Sequence, residues 1–349
     1  MLDFMDYCLR RYYLATRWRE DTQYSSLLVD SRRILDFSVP TGFSVTLGKS
    51  VSPELKSSYT LGIPNIRAAG FLFTSVPLVL PPNHIKAEDE MAAEQLKNVD
   101  IYPTGSTLKT NGDVESQGEK DQKQTPRGYL LYGRLYEDLH LEAMYIKSLT
   151  RNMHFLAYGV NSWERRSLTA FSSVSTRLLH ASRSCTTEVS YTSEAQVFGL
   201  SSLYRFSGTN WAAGSELYYT AKERSGGLSI GARYKREGEV PGTPKTVLSF
   251  LANPMMGHVS ASYTTTLRNN LNMSTRYRFN VYSYEADLAV GLEYSPKGKE
   301  QIVKTRLSLA EGLALKLEGQ YRRAVISIGL MTHFTHNPRR SIGIELQIA

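Results

Sequence analysis

Ser341-Ile342-Gly343-Ile344-Glu345-Leu346-Gln347-Ile348-Ala349 closes the chain, and the reading of this stretch decides the fold. Ile342, Ile344, Leu346 and Ile348 share one parity; Ser341, Gly343, Glu345 and Gln347 share the other. That is the period-two pattern of a strand with one apolar and one polar face. A single such strand suits a soluble sheet as well as a membrane wall. Repetition separates the two, because similar segments of about ten residues recur along most of the sequence with few helical patterns between them.

Working outward, the composition permits the same architecture. The 349 residues are 41% hydrophobic with a mean hydropathy of −0.31, and no run of eighteen apolar residues occurs. This excludes a bundle of membrane helices, but alternating strands average to neutral hydropathy, so it leaves a barrel open. The 22 Tyr against 3 Trp fit girdles of amphipathic rings at two interfaces. A net charge of +8 suits nucleic acid, anionic lipid or a cationic lumen. Lys and Arg are spread singly over many strands without a stacking-aromatic patch, which speaks against nucleic acid. Cys8 and Cys185 give neither a disulfide framework nor metal-ligand spacing, and no cofactor motif is present.

From the start of the chain, Leu2, Met5, Leu9 and Tyr13, flanked by Phe4 and Tyr12, fall near helical spacing. The spacing predicts a helix over Met1 to Glu20 within an N-terminal segment of residues 1–34. It is either a plug inside a barrel or a helix packed outside a soluble β-domain. Asp3 and Asp6 argue against a mitochondrial presequence, which is poor in acids. Residues 35–349 read as the barrel, interrupted by a long hydrophilic loop at about 81–126 that is dense in Glu, Lys, Asp, Asn and Gln.

Strands are expected at Phe43 to Leu47, Leu55 to Ile63 and Ile66 to Thr74, then in quick succession from Tyr129 onward, with turns such as Pro241-Gly242 and Asn269-Asn270 between them. The segmentation gives about nineteen strands, an all-β transmembrane barrel with an N-terminal amphipathic helix. An odd count matters, since bacterial single-chain barrels close with even numbers whereas the mitochondrial anion channel has nineteen.

Met273, Thr275, Tyr277 and Phe279 point one way along their segment, and Arg276, Arg278 and Asn280 the other. In a barrel Arg276, Arg278 and, by the same parity argument, Arg134 enter the lumen, while the aromatics face outward. Phe71 and Phe73 likewise share one side. Phe71, Phe73, Tyr277 and Phe279 are therefore candidates for facing either lipid or a partner. Gly227-Leu228-Ser229-Ile230-Gly231 satisfies G-x-S-x-G, but alternation continues through it, so Ser229 lies inside a strand and not at a nucleophile elbow. No other catalytic or metal-binding set emerges, and an enzyme is not expected.

Several segments, taken together, resemble the mitochondrial distribution and morphology protein 10 family of fungal outer-membrane barrels. They are Met1-Leu2-Asp3-Phe4-Met5-Asp6, Ser31 to Phe37, Tyr132-Gly133-Arg134-Leu135-Tyr136 with Leu141 to Met144, Asn253-Pro254-Met255-Met256-Gly257-His258, and Tyr277 to Glu285. The chain is compact for that family, without long insertions late in the barrel. Ser341, Gly343, Leu346 and Ile348 also resemble the sorting signal on the last strand of mitochondrial outer-membrane barrels.

The resemblance implies a non-catalytic outer-membrane scaffold with two memberships, located at contacts with the endoplasmic reticulum. One is the endoplasmic reticulum–mitochondria encounter structure, a tether for phospholipid exchange, organelle shape and inheritance. The other is the sorting and assembly machinery, where it would promote assembly of the outer-membrane protein translocase. The implied partners are soluble and membrane subunits of the tether, the sorting-machinery barrel and its peripheral subunits, a small subunit of the translocase, and phospholipids. The alternative is a diffusive anion-porin-like or protein-translocating channel, suggested by the lumen-parity charges.

Overall fold

The computed structural model describes residues 4–16, 18, 22–52, 54–63, 66–76, 128–137, 139–162, 171–236, 245–268, 270–296, 301–322, 324–334 and 340–348. The expected loop at about 81–126 lies outside the described residues.

Among the described residues the chain opens with helix α1 (Phe4–Ala15), a 3₁₀ turn (Tyr24–Ser26) and helix α2 (Val29–Leu35). Nineteen strands follow: β1 (Gly42–Ser50), β2 (Leu55–Ile63), β3 (Ile66–Thr74), β4 (Tyr129–Tyr136), β5 (His140–Thr150), β6 (Met153–Ser162) and β7 (Phe171–Ala181). Then come β8 (Cys185–Thr192), β9 (Val197–Arg205), β10 (Trp211–Thr220), β11 (Ser225–Arg236), β12 (Thr246–Asn253) and β13 (His258–Arg268). The last are β14 (Leu271–Asn280), β15 (Ala286–Tyr294), β16 (Gln301–Ser308), β17 (Gly312–Tyr321), β18 (Ala324–Thr332) and β19 (Arg340–Ile348). The helix expected over Met1 to Glu20 corresponds to α1, and α2 is a second helix within the N-terminal segment.

Each strand pairs antiparallel with its sequence neighbours, and the sheet closes by pairing β1 with β19. With an odd number of alternating strands the first and last run the same way, so the closing seam must be parallel. It is, with Gly42 opposite Gly343 and Leu47 opposite Ile348. Closure leaves no free edge among the paired strands.

The two faces are inverted relative to a soluble protein. Along β17, Ala314, Lys316 and Glu318 are buried while Leu313, Leu315 and Leu317 are exposed. On β18, Val325 and Ser327 are buried and Ile326 and Ile328 exposed. Ionised groups toward the interior and a belt of leucine, isoleucine and aromatic residues outside are stable when the outside is hydrocarbon. Among the described residues no helix is long and apolar enough to cross a membrane.

Candidate functional site

The N-terminal segment lies against the inner face of the wall, on two contrasting seats. On the first, Cys8, Tyr12 and Tyr13 of α1, together with Trp18, bury themselves against Leu72, Leu130, Tyr132, Met144, Ile146, Leu156 and Leu179 of β3 to β7. His154 on β6 is enclosed by rings, with Trp18 at 4.2 Å and Tyr13 at 6.0 Å between centroids. The Tyr12 hydroxyl donates to the Gly128 carbonyl. Removed from water, this phenol loses the hydration its anion would need, and its pKa is pushed up to about 12.

On the second seat the partners are charged. The Asp36 carboxylate accepts two bonds from the Arg276 guanidinium, at 2.7 and 2.6 Å, the planar fork geometry that arginine is built for. Arg306 donates to the Leu35 carbonyl at 2.9 Å and Lys304 to the Arg33 carbonyl at 3.3 Å. These carbonyls end α2, where unsatisfied acceptors and the negative end of the helix dipole favour cations. Lys245 meets Asp30 at 3.1 Å, and Ser249 donates to the Leu27 carbonyl at 2.8 Å. The cations also have wall partners: Lys304 lies 3.1 Å from Glu293, and Arg306 2.8 Å from Glu311.

Between the seats the 3₁₀ turn is tied to the wall by a 2.8 Å bond between the Tyr24 and Ser229 hydroxyls. Burial raises the Tyr24 pKa, and that bond opposes the rise. Ser229, the serine of the G-x-S-x-G motif, sits inside β11 with Tyr24 as its partner. Wall glycines make room for the segment. A Cβ at Gly231 would lie 2.6 Å from Leu27, and one at Gly291 2.7 Å from Leu35.

The candidate residues distribute as follows. Arg134 bonds Thr60 across the inner face at 3.1 Å, Arg276 holds Asp36, and Arg278 pairs with Asp287 at 2.6 Å. Phe71 and Tyr277 are exposed on the outer face, Phe279 stacks beside Tyr277 at 6.4 Å, and Phe73 lies 5.9 Å from Tyr129. The ring order sets the β3 aromatics and the β14 aromatics on well-separated sectors of the barrel. Ser341, Gly343, Leu346 and Ile348 all lie in β19, at the parallel seam. A Cβ at Gly343 would collide with the backbone of Pro40 and Thr41, where the chain leaves the lumen for β1. Among the described residues no cluster of metal-ligating side chains occurs.

Sequence reasoning missed Asp36, Lys304, Arg306 and the two seat glycines. Lys304 and Arg306 were within reach, since both share the inward parity of an alternating strand. The partnership with Asp36 was not, because 240 residues separate it from Arg276.

The sequence pattern of the mitochondrial distribution and morphology protein 10 family matches residues 1–302. The chain belongs to this family. A Coprinopsis cinerea protein named Mitochondrial distribution and morphology protein 10 is 26% identical over 457 aligned positions, covering 99% of each chain. The aligned span exceeds the 349 residues here, so that relative carries segments this chain lacks. A Podospora anserina protein of the same name is 31% identical across 84% of this chain and 73% of its own. Among solved structures, a triple mutant of Rhodopseudomonas blastica porin superposes with a TM-score of 0.41 at 8% identity, over 62% of this chain and 90% of its own. Membership in the family supports a role in mitochondrial distribution and morphology. An inverted barrel in a mitochondrial family is consistent with a place in the outer membrane.

Proposed function

We propose that this barrel is a non-catalytic scaffold of the mitochondrial outer membrane with two memberships. In the endoplasmic reticulum–mitochondria encounter structure it is the membrane anchor of a tether for phospholipid exchange. In the sorting and assembly machinery it promotes assembly of the protein translocase. The observation that supports this reading is that the lumen is occupied by the chain's own N-terminal segment, bound to two opposed stretches of wall. A barrel filled in this way has its outer surface and rims left for use. Phe71 and Phe73 on β3 and Tyr277 and Phe279 on β14 supply two separate outward aromatic faces, one for each assembly.

The test is affinity purification from detergent-solubilised mitochondria. The unaltered chain should recover subunits of both assemblies. Phe71→Ser with Phe73→Ser, and separately Tyr277→Ser with Phe279→Ser, should each lose one set and keep the other. Recovery of neither set by the unaltered chain would overturn the proposal.

The charged inner wall of β14 to β17 favours a second reading, a diffusive channel. Planar-bilayer recording separates the two. A filled scaffold passes little current, and a sustained large conductance in the unaltered chain would favour the channel.

A further inference from the structure

Every pair of neighbouring strands but one is consecutive in sequence. β1 and β19 are the exception, and no turn joins them to hold one against the other. Alternation narrows their register without fixing it. A slip of one residue would turn Phe43, Val45 and Leu47 into the lumen. A slip of two would keep every outward residue outward, because Ile342, Ile344, Leu346 and Ile348 are interchangeable against hydrocarbon. In a closed barrel this register is part of the shear, so it bears on strand tilt and bore.

The N-terminal segment reaches this seam along the inner wall. From the Leu27 carbonyl, bonded to Ser249 of β12, it passes Leu35 over Gly291 of β15 and offers the Leu35 carbonyl to Arg306 of β16. Phe37 is buried, its ring 5.6 Å from the Arg306 guanidinium. The chain then crosses β18 and β19 and enters β1 at Gly42, whose φ of +71° makes the turn. The crossing point is a slot. Gly329 and Gly343 are register partners, and each is the only glycine in its strand. With the same inward parity β18 presents Val325, Ser327 and Met331, and β19 presents Ser341, Glu345 and Gln347. A Cβ at Gly329 would lie 2.6 Å from Val39 and 2.7 Å from Pro40; one at Gly343 would lie 2.7 Å from the Thr41 nitrogen and closer still to the Pro40 carbonyl. Proline suits such a seat, since its φ is fixed and it has no N–H to leave unpaired against a bare wall.

We propose that Val39 and Pro40, seated in this slot, set the register at which the barrel closes, so that the N-terminal segment is a closure template as well as a plug. A two-residue slip of β1 would carry Pro40 off the glycines and onto Ser341 and Met331, or onto Glu345 and Ser327, the register-paired residues on either side. Neither pair leaves room, because Val39 and Pro40 already stand 2.6 and 2.7 Å from where a Cβ on Gly329 would begin. The strap is also held from behind. Arg276 of β14 grips Asp36 and Arg306 of β16 grips the Leu35 carbonyl, and only residues 37–41 separate these anchors from β1. The inference goes beyond the scaffold role and does not depend on it.

Cysteine pairs across the seam test it, in the full chain with Cys8→Ser and Cys185→Ser, reconstituted in phosphatidylcholine vesicles and treated with a mild oxidant. Val45→Cys with Leu346→Cys reports the register of this structure. Val45→Cys with Ile344→Cys, and Val45→Cys with Ile348→Cys, report slips of two residues in either direction. In the present register those diagonals are about 8 Å apart, too far for a disulfide. With the strap unaltered, the first pair should crosslink severalfold more than either of the others. Val39→Gly with Pro40→Gly empties the slot, and Gly329→Ala fills it from the wall side; each should raise the ratio of slipped to in-register crosslink severalfold. Tyr12→Ala, which loosens α1 and leaves the strap, should leave the ratio unchanged. Yields are compared among chains that resist carbonate extraction. An unchanged ratio in Val39→Gly with Pro40→Gly would overturn the proposal; should that chain fail to insert, an unchanged ratio in Gly329→Ala would do so. An equal rise in Tyr12→Ala would also overturn it, by assigning the register to the plug as a whole.

Discussion

Where α1 lies, the inner wall offers leucine, isoleucine, methionine and tyrosine to a face of tyrosine and tryptophan. Where α2 lies, it offers Lys245, Arg276, Lys304 and Arg306 to two aspartates and to the carbonyls of a helix end. The first seat acts through apolar area removed from solvent, which is strong but indifferent to direction. The second acts through bonds with defined donors and acceptors, each weakened by the desolvation it requires. One seat therefore supplies most of the affinity, and the other fixes which way round and in what register the segment enters. A plug held only by the first could slide; held only by the second, it would be weak and salt-dependent.

The largest expected effect comes from the apolar seat. Tyr12 is fully buried in it, and Tyr12→Ala removes the ring and its hydroxyl bond, a truncation that costs about 3–5 kcal/mol in well-packed interiors. Hydrogen exchange in residues 4–15 should rise toward that of a free helix, while residues 29–35 keep their protection. Equal loss of protection in both helices would show the two seats to be one cooperative unit.

A smaller effect follows from the protonation of the same residue. The docked Tyr12 has its pKa raised from 10.0 to about 12, so the docked state holds its proton more tightly than the undocked one. Docking is fully stabilised below about pH 10 and weakens as pH rises toward 12, by about 2 kcal/mol in all. Trp18 fluorescence, in a chain with Trp163→Phe and Trp211→Phe, should report release of α1 across that window. Tyr12→Phe should abolish the transition; its persistence would assign it to lysines of the charged seat.

The division between the seats also explains what the sequence revealed. Nineteen strands were legible because inward and outward residues alternate on every rung, and Arg276 and Arg278 betrayed a polar interior by parity alone. The helix was legible from Met5, Leu9 and Tyr13, but its place was not, since an amphipathic face fits the inside of a barrel or the outside of a sheet equally well. Asp36 carries no local signal: one acid after a seven-residue helix gains meaning only when closure of the sheet brings β14 beside it. Gly231 and Gly291 read as ordinary strand glycines until the side chains of Leu27 and Leu35 are seen above them.

The smallest expected effect is at the charged seat, and it is asymmetric. The Arg276 side chain is 8% exposed and that of Asp36 39% exposed. Removing the arginine leaves a carboxylate that water can reach. Removing the acid leaves a guanidinium with less access to water and fewer acceptors. Asp36→Asn should therefore weaken α2 docking by about 1–2 kcal/mol, below the range for fully enclosed pairs because Asp36 is partly hydrated. Arg276→Gln should cost less than about 1 kcal/mol. Raising salt to about 1 M, where the screening length falls to roughly 3 Å, should reduce protection of residues 29–35 and leave residues 4–15 unchanged. Hydrogen exchange on the two variants and on the unaltered chain at both salt levels gives all of these readouts. If Arg276→Gln proves the more damaging change, the arginine's role is to hold the wall around Asp287 and Glu311, and the register of the plug must come from Arg306 and Lys304 instead.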